Sequence, residues 1–381
     1  MIRSLALPAL AVSLLLATAC TDNAAGSRTL TVNASDTECQ DSSVEAPSGT
    51  LTFRVTNDGS LVNEFYLLGE DGLRIVAEVE NIGPGLTRDL VLSAPAGRYF
   101  TACKPGMVGE GTRGDFTVTD SGEDVGPKGE DADLVAEADR QYASYVRDQV
   151  DQLVTETGRF ADLVKAGKDD EARDLYAAAR VHWERIETVA ESFGDLDPQM
   201  DAREADLEEG DEFTGWHRIE KDLWPQRAQG YTPMTEEERA AVADKLVEDT
   251  ATLYERTRDM TFTASDIANG AKGLLDEVAT GKVTGEEEYW SRTDLWDFQA
   301  NVDGAKVAWE GLRPLLQRKD EALDTQIEEA FTKLQTLLDK HREGEGFVTY
   351  DKLSDEDVKQ LADAVNALSE PLSKMSGAIL S

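Results

Sequence analysis

The sequence predicts a multidomain chain that is all-β and then all-α: a β-sandwich over residues 28–120, then a helical bundle over 134–381. Two observations carry this. Short β-branched and aromatic runs fill the first part, each bounded by Gly, Pro, Asn or Asp. Beyond residue 134 the apolar residues recur at spacings of three and four. At 381 residues the chain is also too long for one ordinary core.

The strand runs are Thr29–Asn33, Thr50–Thr56, Glu64–Leu68 and Asp115–Thr119. Several short strands at this spacing suggest a sandwich. Residues 121–133 are rich in glycine and acid without apolar periodicity, which makes them a linker. In the helical part, Leu153, Phe160, Leu163 and Val164 mark one buried stripe, and Gly167, Gly194, Pro198, Gly210, Pro225, Gly281 and Gly344 mark segment ends. About six to nine helices fit this punctuation.

At the N-terminus, Arg3 precedes an apolar run from Leu5 to Ala17, and Thr18 and Ala19 lead to Cys20. This run is too short to span a bilayer. Residues 1–20 resemble a bacterial lipoprotein signal, which implies lipidation of Cys20 and a membrane-anchored protein outside the cytoplasm. A plain secretory signal, giving a periplasmic protein, is the alternative. No later segment is apolar enough to cross a membrane.

The formal net charge of -38 excludes nucleic acid as a partner, because phosphates demand basic patches. It also excludes charge-driven binding to anionic lipid and fits an acidic-polysaccharide ligand poorly.

Chemistry concentrates in two places. In the sandwich, the hairpin Ala96–Met107 followed by Gly114–Val118 resembles the last hairpin of a cupredoxin, with Cys103 and Met107 in the ligand loop. Glu64 stands where that family has a ligand histidine, and no histidine precedes His182. A blue-copper centre needs two histidines and a cysteine, so this domain cannot build one. What remains is a candidate set of Cys39, Glu64, Cys103 and Met107, suited to copper or iron. The competing expectation is a Cys39–Cys103 disulfide, the default for paired cysteines in an oxidising compartment.

In the helical part, Glu184-Arg185-Ile186-Glu187 and His217-Arg218-Ile219-Glu220 each place two potential ligands at i and i+3, on one helical face. Carboxylates with one imidazole suit iron, manganese or zinc. The bland alternatives are solvated helix acids at Glu184 and Glu187, an N-cap at Asp201 for a helix starting near Ala202, and a core histidine at His217. His182 and His341 lack such companions.

Gly215–Glu220, His182–Glu187, Phe193–Asp197, Asp197–Asp201, Thr293–Asn301 and Gly346–Tyr350, together with the sandwich, resemble the EfeO family, in its form with a cupredoxin-like domain fused to an imelysin-like helical domain. That resemblance implies an extracytoplasmic iron-binding component that captures Fe(II) or Fe(III) and delivers it to an iron permease, alongside a secreted haem peroxidase. It implies metal ligation by His217 and Glu220, with Glu184, Glu187 and Asp201 as companions, for iron or zinc. An enzyme is the second reading, either a ferroxidase or a metal-dependent peptidase. The zincin pattern of two histidines around a glutamate is absent, which weighs against hydrolysis.

Overall fold

A computed structural model describes residues 29–70, 72, 75–107, 111–122, 129–187, 195–207 and 210–380. The signal segment with Cys20, linker residues 123–128 and the side chain of Met107 lie outside the described residues.

The sandwich is built from β1 (Thr29–Ala34), β2 (Cys39–Asp41), β3 (Glu45–Pro47), β4 (Gly49–Asn57), β5 (Asn63–Leu68), β6 (Ile75–Ile82), β7 (Thr87–Ala94), β8 (Gly97–Cys103) and β9 (Thr112–Thr119). One sheet has the order β2-β1-β4-β7 and the other β3-β9-β8-β5-β6. The β1–β4 and β3–β9 pairs are parallel. In β1, Leu30, Val32 and Ala34 turn inward while Thr29, Thr31 and Asn33 face outward, as the two-residue repeat of a strand requires. Between the sheets, the Phe53 ring centroid stands 5.1 Å from that of Phe65 and 5.4 Å from that of Phe116.

Cys39 and Cys103 form a disulfide with a Cα separation of 5.4 Å. It ties β2 of one sheet to β8 of the other, and Cys103 is buried in the core. Neither sulfur is then a thiolate, so the expected copper or iron set of Cys39, Glu64, Cys103 and Met107 is corrected: its thiolates are spent on the crosslink. Glu64 is separated from them as well. Cys103 pairs across the sheet with Phe65, on the core side, while Glu64 accepts a hydrogen bond from the Tyr66 hydroxyl and lines a cavity outside the sandwich.

The helical domain comprises α1 (Glu130–Lys165), α2 (Asp169–Glu184), α3 (Asp197–Met200), α4 (Gly215–Leu223), α5 (Glu236–Arg258), α6 (Ala264–Thr280), α7 (Asp294–Lys319), α8 (Glu321–Leu338), α9 (Asp355–Leu372) and α10 (Met375–Ile379). The pair β10 (Arg342–Glu343) and β11 (Gly346–Phe347) interrupts the helices. α1 packs on α2 and α5, while α6 and α8 pack on α7, which also touches α1 and α2, and α9 lies against α6 and α8. α7 is therefore the element common to both groups. An aromatic cluster of Phe160, Tyr176, Trp216 and Trp224 joins α1, α2 and α4.

The sandwich rests on α6 through β6 and β7. The Ser93 amide donates to Ser265 Oγ at 3.2 Å, and Asn269 Nδ2 and Ser376 Oγ both donate to the Val91 carbonyl, at 3.1 and 2.7 Å. Beside this contact lies an interdomain cavity of about 1050 Å³.

Candidate metal centre

Two close backbone approaches assemble the site. Gly215 opens α4 with φ of 76°, and a Cβ there would stand 2.1 Å from the Met200 carbonyl oxygen. Only glycine permits this contact, which seats α4 against the chain at Asp201. Gly304 does the same for α7, where a Cβ would meet the Arg185 carbonyl oxygen at 2.5 Å. That approach lets Asn301 Nδ2 donate to the Glu184 carbonyl at 2.7 Å and to Glu187 Oε2 at 2.9 Å.

α2 stops at Glu184, where the sequence suggests a helix through Glu187; the Ile186 amide instead bonds the Trp183 carbonyl, a tighter three-residue turn. Glu184 and Glu187 still converge, because both accept from Lys282 Nζ, at 2.5 and 2.6 Å. Both are buried, so they are not solvated surface acids. Asp201 caps no helix start: it ends α3, is buried, and accepts from Arg180 and from Trp183 Nε1 at 2.7 Å.

His217 and Glu220 lie on one face of α4, with Nδ1 to Oε2 at 3.1 Å. Glu220 Oε1 accepts from the Trp290 and Ser291 amides at 2.8 and 2.5 Å, so both its oxygens are occupied. His217 Nε2, by contrast, is buried with no hydrogen-bond partner, 3.4 Å from Asp201 Oδ1 and 3.5 Å from Glu287 Oε1. A buried, unpartnered ring nitrogen facing two carboxylates has the arrangement of a ligand nitrogen. His217 is thus a buried histidine with one hydrogen bond, at Nδ1, whose second nitrogen faces carboxylates.

The residues around it extend well beyond the expected set. Oxygens of Glu184, Glu187, Asp201 and Glu287 lie within 4.8 Å of one another, and so do donor atoms of His217, Glu220 and Glu288. Arg180, fully buried, pairs with Glu184 at 2.6 Å, Glu287 at 2.9 Å and Glu288 at 2.7 Å, and with Asp201. Asp297 completes the wall, and neither of its oxygens accepts a hydrogen bond among the described residues.

This crowding sets the protonation. Burial and neighbouring carboxylates push Glu187, Glu288 and Asp297 well above the usual carboxylate range. Glu287 moves the other way: burial raises it, but Lys282, His217 and Arg180 together hold it well below. For His217, burial and Arg180 act downward, yet Glu220, Glu287 and Asp201 lift the imidazole well above its ordinary value. Carboxylates outnumber the fixed cations, so the centre is a buried anionic pocket that a multivalent cation would neutralise.

A family model for imelysin matches residues 138–375, and one for the cupredoxin-like domain matches residues 7–118. The protein named iron uptake system component EfeO in Yersinia pestis is 39% identical over 353 residues, covering 92% of this chain and 90% of that protein. Its namesake in Escherichia coli (strain K12) is 36% identical over 375 residues, covering 97% and 96%. The chain belongs to the EfeO family. Its two-domain order, β-sandwich and then helices, is the one the family models describe.

Sequence reasoning missed Arg180, Lys282, Glu287, Glu288, Asp297 and Asn301. The signals were faint: a Glu286-Glu287-Glu288 run just ahead of α7, and Asp294, Asp297 and Asn301 at helical spacing within it.

Proposed function

We propose that this protein is an extracytoplasmic component of an iron uptake system that binds Fe(II) or Fe(III) as cargo and delivers it to a membrane permease. The observation that carries the reading is His217 Nε2, buried and unpartnered beside Asp201 and Glu287, two carboxylates that also group with Glu184 and Glu187. Hard carboxylate oxygens with one imidazole match iron, and zinc is the competing metal for the same donors. The names of the EfeO relatives support the iron assignment. The Cys39–Cys103 disulfide agrees with an oxidising compartment. A secreted haem peroxidase and a lipid anchor at Cys20 complete the proposed system.

In this reading His217, Asp201, Glu287, Glu184 and Glu187 hold the ion. Glu220 presents His217: by accepting a hydrogen bond from Nδ1 it keeps that proton in place, so that the Nε2 proton is the one the cargo displaces and the Nε2 lone pair is the one it meets. The test is calorimetric titration of full-length protein with Fe(II) under anaerobic conditions, using Mn(II) as a redox-inert substitute. His217→Ala is expected to weaken binding by roughly 10–100-fold or more, the range for disturbing a ligand histidine. Unchanged affinity in a folded His217→Ala protein would overturn the assignment.

A further inference from the structure

We propose that Lys282 is a tethered counter-cation that holds the centre closed when empty and is displaced by the incoming metal. The inference rests on the metal-binding reading above and specifies how that site exchanges its cargo.

The Lys282 ammonium is buried, 2.5 Å from Glu184 Oε2, 2.6 Å from Glu187 Oε2 and 3.9 Å from Glu287 Oε1. Those three carboxylates, with Asp201, form the oxygen group close enough to share one ion. The ammonium therefore already occupies the oxygens a metal would use. Two cations in contact with the same oxygens repel, so the metal and the ammonium exclude each other.

Arg180 sits in the same pocket but differs in kind. It is fully buried, and its planar fork is locked by Glu184, Asp201, Glu287 and Glu288 from several elements. Lys282 is a point charge on a flexible stem, and it lines the interdomain cavity of about 1050 Å³. The same cavity is walled by Glu78, Glu80 and Asp197, so a displaced ammonium moves into space lined by carboxyl groups whose oxygens can accept its hydrogen bonds.

The backbone beneath it is fixed. Lys282 opens the short turn Lys282–Thr284, where the Thr284 amide bonds the Gly281 carbonyl at 2.9 Å and the Tyr350 hydroxyl donates to the Val283 carbonyl. Exchange is thus a side-chain movement. Empty, the carboxylates keep a partner and avoid the cost of uncompensated burial. Loaded, the waiting ammonium favours release by competing for the same oxygens, which suits a carrier rather than a permanent metal cage.

Two measurements on the full-length chain decide this. In the first, Mn(II) is titrated into wild type and Lys282→Gln at one pH and ionic strength. Lys282→Gln should bind Mn(II) about tenfold tighter or more, because a competing unit charge is gone. A ligand or a merely structural residue would give the opposite change. In the second, lysines of the wild type are acylated with a soluble active ester and mapped by mass spectrometry, with and without Mn(II). Lys282 should be protected when empty and reactive when loaded, a readout that survives if the variant fails to fold. Equal or weaker Mn(II) binding by folded Lys282→Gln, or Lys282 labelling unchanged by Mn(II), overturns the displacement. Absence of Mn(II) and Fe(II) binding by the wild type overturns the site itself.

Discussion

Glu220 shows how one side chain takes a role that its spacing alone does not specify. Its place three residues after His217 suggests a ligand, but two backbone amides and the imidazole already occupy its oxygens. In the function proposed above its role is orientation, and this has a testable consequence. In Glu220→Gln the amide oxygen still accepts from the Trp290 and Ser291 amides, which leaves the amide NH₂ facing His217 Nδ1. That donor forces the tautomer whose proton sits on Nε2, pointing at the metal. Mn(II) affinity measured by calorimetry should fall roughly 10–100-fold, with little change in the melting temperature. Full affinity in Glu220→Gln would show that the imidazole does not need this partner.

At the scale of elements, the position of α4 depends on the glycine that opens it. Gly215→Ala would place a methyl group on the Met200 carbonyl in a left-handed conformation, so α4 must shift away from Asp201. We expect a loss of at least about 1–3 kcal/mol by urea denaturation, together with weakened metal binding, because His217 and Asp201 lie on opposite sides of that contact. Retained binding with the same stability loss would mean that the site tolerates the shift. In the sandwich the corresponding crosslink is the disulfide, which closes a loop between residues 64 apart in sequence. The Cys39→Ser, Cys103→Ser double variant should destabilise the sandwich by about 2–4 kcal/mol in a urea titration while leaving calorimetric Mn(II) binding at the helical centre intact. Loss of metal binding in that variant would place the sandwich cysteines in the centre after all.

Across the whole molecule, the two domains meet over acidic surfaces. Glu78 on β6 lies half-buried against α6, and its carboxyl is pushed up to about 8 by burial, then by Glu277 and Glu64, with Lys272 and Lys104 opposing. The neighbouring Glu80 is raised by burial and then by Glu78, Glu277 and Glu64, with Lys272 opposing. A carboxyl raised on folding contributes its full stability below the unfolded value of 4.5 and loses it as pH rises toward about 8. Glu78→Gln should therefore raise the melting temperature at pH 8 and change it little near pH 4.5. An equal effect at both pH values would mean that Glu78 is not held protonated by the interdomain contact. Glu64 on the sandwich and Lys282 on the helical domain line the same cavity, so in the function proposed above the sandwich stands beside the metal's path while its cysteines remain crosslinked.

The sequence by itself determined the order of domains and the central motif. Strand alternation in Thr29–Asn33 and the three-and-four spacing after residue 134 are local patterns, written by which face of an element is buried. His217 and Glu220 were legible for the same reason, being one helical turn apart. Tertiary structure alone decided which charges share the pocket. Glu287 and Lys282 are far in sequence from His217 and Glu184, and they share the pocket because glycine contacts draw α4 against the end of α3, at Gly215, and α7 against the end of α2, at Gly304. It also decided between thiolate and disulfide, since only the packing of the two sheets brings Cys39 to Cys103. Local spacing records which side chains share an element; the balance of buried charge depends on which elements meet.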